Sequence, residues 1–257
     1  MTTKISIEAM MEAGMHFGHQ TFRSNPKMAP YIFDAKEGIH IIDLTRTKPM
    51  LEAALAFAHD LAQEDKQIIF VGTKKQASAI IKEQALACGM PYVDERWMGG
   101  LLTNYDTLKK RLKYLRELDE KYAKNDFGDM TKKEKAGLDR TYKALEVGLG
   151  GLRGLKGLPA AIFVASTLQD DIAVREAKKM GIPVVAVVDT NSDPAGIDYP
   201  IPSNDDAKKA IAYVVAALSE ACKVKHTADK AEGATQASET EAKPELIANG
   251  EEGHSGN

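Results

Sequence analysis

Several groups of residues in this 257-residue chain are of types and spacings that can do chemistry. Phe70-Val71-Gly72-Thr73-Lys74-Lys75-Gln76 reads as a strand end followed by Gly-Thr, two lysines and a helix. Open α/β sheets hold phosphates at such a place, against a helix N-terminus. The segment has neither the Gly-x-x-x-x-Gly-Lys-Ser/Thr nor the Gly-x-Gly-x-x-Gly spacing that cradles a nucleotide. Gly148-Leu149-Gly150-Gly151-Leu152-Arg153-Gly154 has the glycine density of a dinucleotide loop, but it follows a helical stretch instead of a strand. His16 and His19 are three apart and could face one metal ion, and Asp189, Asp205 and Asp206 fall where they could join them in space. Histidines that hydrogen-bond a loop in place explain the same pattern and are the favoured reading. Cys88 and Cys222 sit in apolar helical contexts and read as buried free thiols. No nucleophile elbow, Ser/His/Asp arrangement or paired-carboxylate motif stands out. Arg96 and Trp97, the only tryptophan, precede Gly99-Gly100. There the ring suits a core anchor, the glycines a bend, and the guanidinium a phosphate.

These residues need a scaffold, and the apolar pattern supplies one. Short β-branched runs at Ile39–Asp43, Gln67–Gly72, Tyr92–Asp94, Ala160–Ala165, Val184–Asp189 and Tyr199–Ile201 read as strands. IIFVG and PVVAVVD are continuous apolar runs, as strands covered on both faces should be. Helical segments at Lys48–Glu64, Lys75–Cys88, Asp170–Met180 and Asp205–Cys222 alternate with them, the last with Asn204 and Asp205 as cap candidates. The alternation predicts an open, mostly parallel α/β sheet with helices on both faces.

From Asn104 to about Gly148 the alternation stops. Leu108, Leu112, Leu115 and then Leu118 or Tyr122 form one apolar seam, and Leu138, Tyr142, Leu145, Leu149 and Leu152 another. Both have the 3–4 spacing of coiled-coil helices, with a turn-like Lys124–Asp129 stretch between them and a Thr131/Glu134 capping box opening the second. An inserted antiparallel α-helical hairpin is the expectation. The organisation is then residues 1–102 and 159–225 as an α/β body, 103–158 as the hairpin with its return, and 226–257 as a tail.

Charge follows the same division. The formal total is −3, but residues 226–257 hold seven carboxylates against two lysines and no apolar period, which predicts a disordered acidic tail. Residues 101–158 hold 14 basic against nine acidic side chains. Phosphate neutralisation depends on such local concentrations and not on the chain total. Nothing approaches a membrane span of about 18 apolar residues, and Met1–Gly14 does not read as a secretory signal, so a cytoplasmic protein is expected.

The motifs taken together resemble the bacterial ribosomal protein S-two family. HFGHQT (16–21), NPKM (25–28), IHIID (39–43), FVGTKKQA (70–77), RWMGGLLTN (96–104), LGGLRGL (149–155), GIPVVAVVDTNSDP (181–194) and IPSNDDA (201–207) occur in family order across about Ile5 to Cys222. The resemblance implies a flavodoxin-like sheet with a helical hairpin and a non-catalytic, late-assembling constituent of the small ribosomal subunit. Such a protein lies at the head–body boundary, bound to small-subunit rRNA and to neighbouring proteins. It also helps hold the S-one protein that recruits mRNA. No cofactor, metal, membrane or small-molecule substrate is expected. Phe22-Arg23-Ser24 stand where the family usually has two basic or polar residues and a tryptophan. Ala165-Ser166 and Asp170-Asp171 replace a usual Asp and a later Glu-His pair, so those roles are not carried over.

The RNA contacts are expected from Lys109, Lys110, Lys113, Lys132, Lys133 and Lys135 of the hairpin, with Arg23, Lys27, Lys74, Lys75 and Arg96 from loops of the body. Two other readings compete with this one. One is an α/β enzyme holding a phosphorylated ligand at the C-terminal sheet edge. The other is an RNA-free scaffold that uses the hairpin as a coiled-coil arm.

Overall fold

The computed structural model describes residues 5–128 and 130–223, and the acidic tail predicted from 226 lies outside them. The chain opens with α1 (Ile7–Glu12), β1 (Phe17–Gln20), β2 (Ile32–Lys36) and β3 (Ile39–Ile42). It continues through α2 (Leu44–Gln63), β4 (Ile68–Val71), α3 (Ser78–Cys88) and β5 (Tyr92–Val93). Two long helices follow, α4 (Tyr105–Lys124) and α5 (Lys132–Leu149). The described chain then ends with β6 (Ala161–Val164), α6 (Asp171–Met180), β7 (Val184–Val188), β8 (Tyr199–Pro202) and α7 (Lys208–Cys222).

Five strands form a parallel sheet in the order β5-β4-β6-β7-β8. Counted from β4, that is the 2-1-3-4-5 order of a flavodoxin-like fold, and the direction of travel reverses between β4 and β6. Alternate residues feed two cores. Ile68, Phe70, Phe163, Val185 and Val187 pack with Leu51, Ile81, Val214 and Leu218 of α2, α3 and α7. Ile69, Val71, Ile162, Val164, Ala186 and Val188 point to the other side, toward α6, Trp97, Leu101, Leu102 and the leucines of α4. Every β4, β6 and β7 residue is buried, which explains their unbroken apolar runs.

Two expectations need correction. The strand expected at Ile39–Asp43 exists as β3, but it is the centre of a separate antiparallel sheet, β1-β3-β2, and not part of the parallel one. This small sheet is pressed against the C-terminal edge of the large one at Gly18. A Cβ there would lie 2.5 Å from the Thr190 methyl, so only glycine allows the approach. Helix α2 begins four residues before the expected Lys48, because the Asp43 carboxylate accepts from the Thr45 amide at 2.9 Å and caps it there. Pro49 lies inside the helix, beyond its first turn, and removes one intrahelical hydrogen bond there.

Candidate nucleic-acid interface

Helices α4 and α5 run antiparallel. Near the turn the Tyr122 and Tyr142 rings stack at 4.4 Å, and their hydroxyls donate in opposite directions, Tyr122 to Asp139 and Tyr142 to Asp119 at 2.7 Å. The hydrogen bond to Asp139 pushes the Tyr122 phenol up to about 12. Further along, Arg153 closes two bonds on Asp119, 2.9 and 3.1 Å, which holds that carboxyl below its ordinary range. Arg116 donates to the Arg153 carbonyl at 2.6 Å, so this arginine of α4 grips the return segment and does not sit free on an outer face. The capping box predicted at Thr131 and Glu134 is formed.

The leucine seams are not spent between the two helices alone. Leu108, Leu112 and Leu115 of α4, with Leu149 and Leu152, share one core with Trp97, Ile162 and Val164 of the sheet side. The first half of α4 is therefore fixed to the sheet face. At Gly151 a Cβ would come within 2.3 Å of the Tyr92 carbonyl, so glycine lets the chain after α5 pass directly over β5.

This geometry divides the lysines. Lys109, Lys110 and Lys113 lie near the start of α4, opposite its buried leucines and exposed. Lys132, Lys133 and Lys135 are exposed at the start of α5, which in an antiparallel pair is the other end. From Lys110 to the end of α4 is roughly 20 Å at 1.5 Å per residue. Lys113 is 3.8 Å from Glu117, and the Lys135 ammonium sits 4.3 Å over the Phe127 ring. Lys109, Lys110, Lys132 and Lys133 meet no carboxylate at ion-pair distance among the described residues.

The body residues differ among themselves. Arg23 is exposed on the 3-10 turn Thr21–Arg23, its guanidinium 5.5 Å from the centre of the exposed Phe22 ring. Lys27 is exposed but bonded to Asp193 at 2.6 Å. Lys75 and Arg96 are exposed. Trp97 is 5% exposed and belongs to the core, as its sequence context suggested.

Lys74 is committed inward. Its ammonium lies 2.8 Å from Asp205 and 2.7 Å from Asp206, and these bonds keep it charged in spite of its burial. His19 joins the same cluster, with one ring nitrogen 3.1 Å from Asp189 and the other 3.1 Å from Asp206. The Asp189 carboxylate beside it raises the imidazole's pKa. The Ser166 hydroxyl donates to Asp205 at 2.5 Å, while burial pushes that carboxyl upward. The predicted meeting of His19 with the three aspartates is thus real, whereas His16 stays outside it, its ring tilted against Phe17 with centroids 4.0 Å apart. Single ligand atoms of His19, Asp205 and Asp206 lie within 4.8 Å of one another, a spacing that could hold a metal ion. The Lys74 ammonium already engages both carboxylates, and its charge opposes a second cation.

At the switch point between β4 and β6 the Thr73 amide and hydroxyl donate to Asp170, at 3.3 and 2.8 Å. A buried carboxylate stands where the sequence allowed a phosphate.

Sequence reasoning missed Glu176 of α6, a buried carboxylate that gathers donors from Trp97, Gly100, Leu102 and Thr103. Only its acidic type in an otherwise apolar stripe of α6, between Ala173 and Ala177, signalled it. No helix among the described residues is long and apolar enough to cross a membrane.

Residues 10–224 match the family described as ribosomal protein S2, a span that holds the parallel sheet, both long helices and every basic residue named above. That match covers most of the chain and agrees with the strand order, so the chain belongs to the ribosomal protein S2 family, structural constituents of the small ribosomal subunit that serve translation.

Proposed function

We propose that this protein binds small-subunit rRNA through the exposed lysines at the two ends of the α4–α5 pair. The observation that carries the reading is that Lys109, Lys110, Lys132 and Lys133 have no carboxylate partner among the described residues, on helices anchored by a shared core. Lysines in that state give up only water and counterions when they meet phosphate, and they position the protein without reading bases. Residues 103–158 act as the RNA arm, and the body, 1–102 with 159–225, adds Arg23, Lys75 and Arg96. Lys27 and Lys74 contribute less, because Asp193, Asp205 and Asp206 already neutralise them. Placement at the head–body boundary, late entry into the subunit, a cytoplasmic location and help in docking the S-one protein rest on family membership. A non-enzymatic role agrees with the carboxylate at the switch point, which opposes a phosphorylated ligand there.

The test is a sucrose-gradient profile of cell extract at moderate salt. The protein should travel with small subunits. Recovery at the top of the gradient, with a saturable small-ligand site on the free protein, would replace this reading with the enzyme one.

A further inference from the structure

One carboxylate ties the sheet to the start of α4. Glu176 is 8% exposed and accepts five hydrogen bonds from a single short stretch of chain. One oxygen takes the Gly100 amide at 2.7 Å and the Trp97 indole N–H at 3.3 Å. The other takes the Leu102 amide at 3.0 Å and both the amide and hydroxyl of Thr103 at 3.2 Å. Three backbone N–H groups converging on one anion form a concave nest, and Gly100 at φ +89° supplies the left-handed step that lets the chain curl around it. These donors hold the carboxyl below its ordinary range against the opposing effect of burial. The stretch begins beside exposed Arg96, buries Leu101 and Leu102, and runs directly into α4 at Tyr105.

We infer that Glu176 is the positioning residue of the RNA-binding surface: by gathering the 97–103 turn it sets where Arg96, Lys109 and Lys110 stand, without touching RNA itself. This rests on the reading of α4 as an RNA-binding helix. Helix α6 packs on β6 and β7, so Glu176 refers the basic start of α4 to the rigid sheet. Lys132 and Lys133, at the other end of the pair, depend on it much less. Replacing the carboxylate by an amide turns one acceptor into a donor that faces backbone N–H groups, so the nest cannot close.

The experiment uses the full-length chain and small subunits that lack this protein. In Glu176→Gln, emission from Trp97, the only tryptophan, should shift to the red as the turn opens. Affinity for subunits should fall roughly tenfold, the loss expected when one or two phosphate contacts are displaced. Coupling is the readout that a merely structural role would leave unmoved. The cost of Lys109→Gln/Lys110→Gln should shrink in the Glu176→Gln background, while that of Lys132→Gln/Lys133→Gln stays the same. Thr103→Val, which removes one donor and keeps the backbone, should show the same pattern on a smaller scale; it carries the test if the glutamine variant does not fold. Unchanged affinity with red-shifted Trp97, or equal coupling to both lysine pairs, would overturn the role of Glu176 alone. If Lys109→Gln/Lys110→Gln binds like the parent, the RNA-binding reading of α4 fails, and this inference with it.

Discussion

Consider four exposed lysines that meet no carboxylate at ion-pair distance among the described residues, Lys109, Lys110, Lys132 and Lys133, changed together to glutamine. Glutamine is nearly as good a helix former as lysine, and none of the four is buried, so the fold should survive. If each neutralises one phosphate, each accounts for about 0.7–0.9 units of slope in log K against log salt. The quadruple variant should lose about three units of slope. Between 50 and 200 mM salt, the gap between parent and variant should then close by roughly a hundredfold. The two pairs sit at opposite ends of an antiparallel helix pair, well beyond the ~7–10 Å within which substitutions couple. Each double variant should therefore remove about half of the slope, with free-energy effects adding to within ~0.5 kcal/mol. The assay is equilibrium binding to subunits lacking this protein across a salt series, with circular dichroism to certify helix content. A folded quadruple variant that binds like the parent at every salt concentration would refute the RNA arm and leave α4 and α5 as a protein-binding surface. Strong non-additivity would refute the separation into two ends.

Three further outcomes are expected. Gly151→Ala, whose new methyl would meet the Tyr92 carbonyl at 2.3 Å, should destabilise by at least ~1–3 kcal/mol. Gly137→Ala, mid-helix with open space around it, should stabilise by ~0.5–1 kcal/mol, and thermal unfolding should show the opposite signs. Glu176 has a lowered pKa in the folded state, so its contribution is fully present above the ordinary carboxylate range and is lost as pH falls through the folded value. The stability gap between parent and Glu176→Gln should stay level at neutral pH and narrow in acid; a gap that widens in acid would contradict the hydrogen-bonded carboxylate. Truncation after Cys222 removes a stretch rich in carboxylates that should repel phosphate, so it should leave incorporation into subunits intact in a reconstitution assay.

What could be read from the sequence was whatever depends on neighbours along the chain. The central strands β4, β6 and β7 stood out because burial on both faces makes them uniformly apolar, and their ends were expected to within about two residues. The Thr131–Glu134 box is local and was legible. Long-range choices were not. Nothing in Ile39–Ile42 says that its partners are β1 and β2 and not the parallel strands, since those partners are short and of mixed composition. Asn204 and Asp205 have cap chemistry, yet Asn204 accepts from the Asp206 and Ala207 amides just before α7, while Asp205 turns to Lys74 and Ser166. Leu108 and Leu112 have the same spacing whether they face a helix or a sheet, so their part in the sheet-side core appeared only in three dimensions.

The lysines carry the same lesson into function. In sequence, Lys74 stood at a strand end before a helix, a place where open α/β sheets hold phosphates, and was expected among the RNA contacts of the body. The fold answers it with Asp205 and Asp206, from 131 and 132 positions further along the chain, and answers the neighbouring Thr73 amide with Asp170. The same edge supplies Asp189 to His19. The carboxyl edge of a flavodoxin-like sheet is where ligands of such folds bind, and here its donors are satisfied internally by four aspartates. Those ion pairs serve architecture, since His19 belongs to β1 and the contacts clamp the small antiparallel sheet to the large one. Among the described residues, Lys109, Lys110, Lys132 and Lys133 of α4 and α5 meet no carboxylate at ion-pair distance, and they lie outside the crevice. The cleft where such folds bind ligands is thus filled here by the protein's own carboxylates, and the exposed lysines at the two ends of the helix pair stand roughly 20 Å apart, farther than one small anion can span.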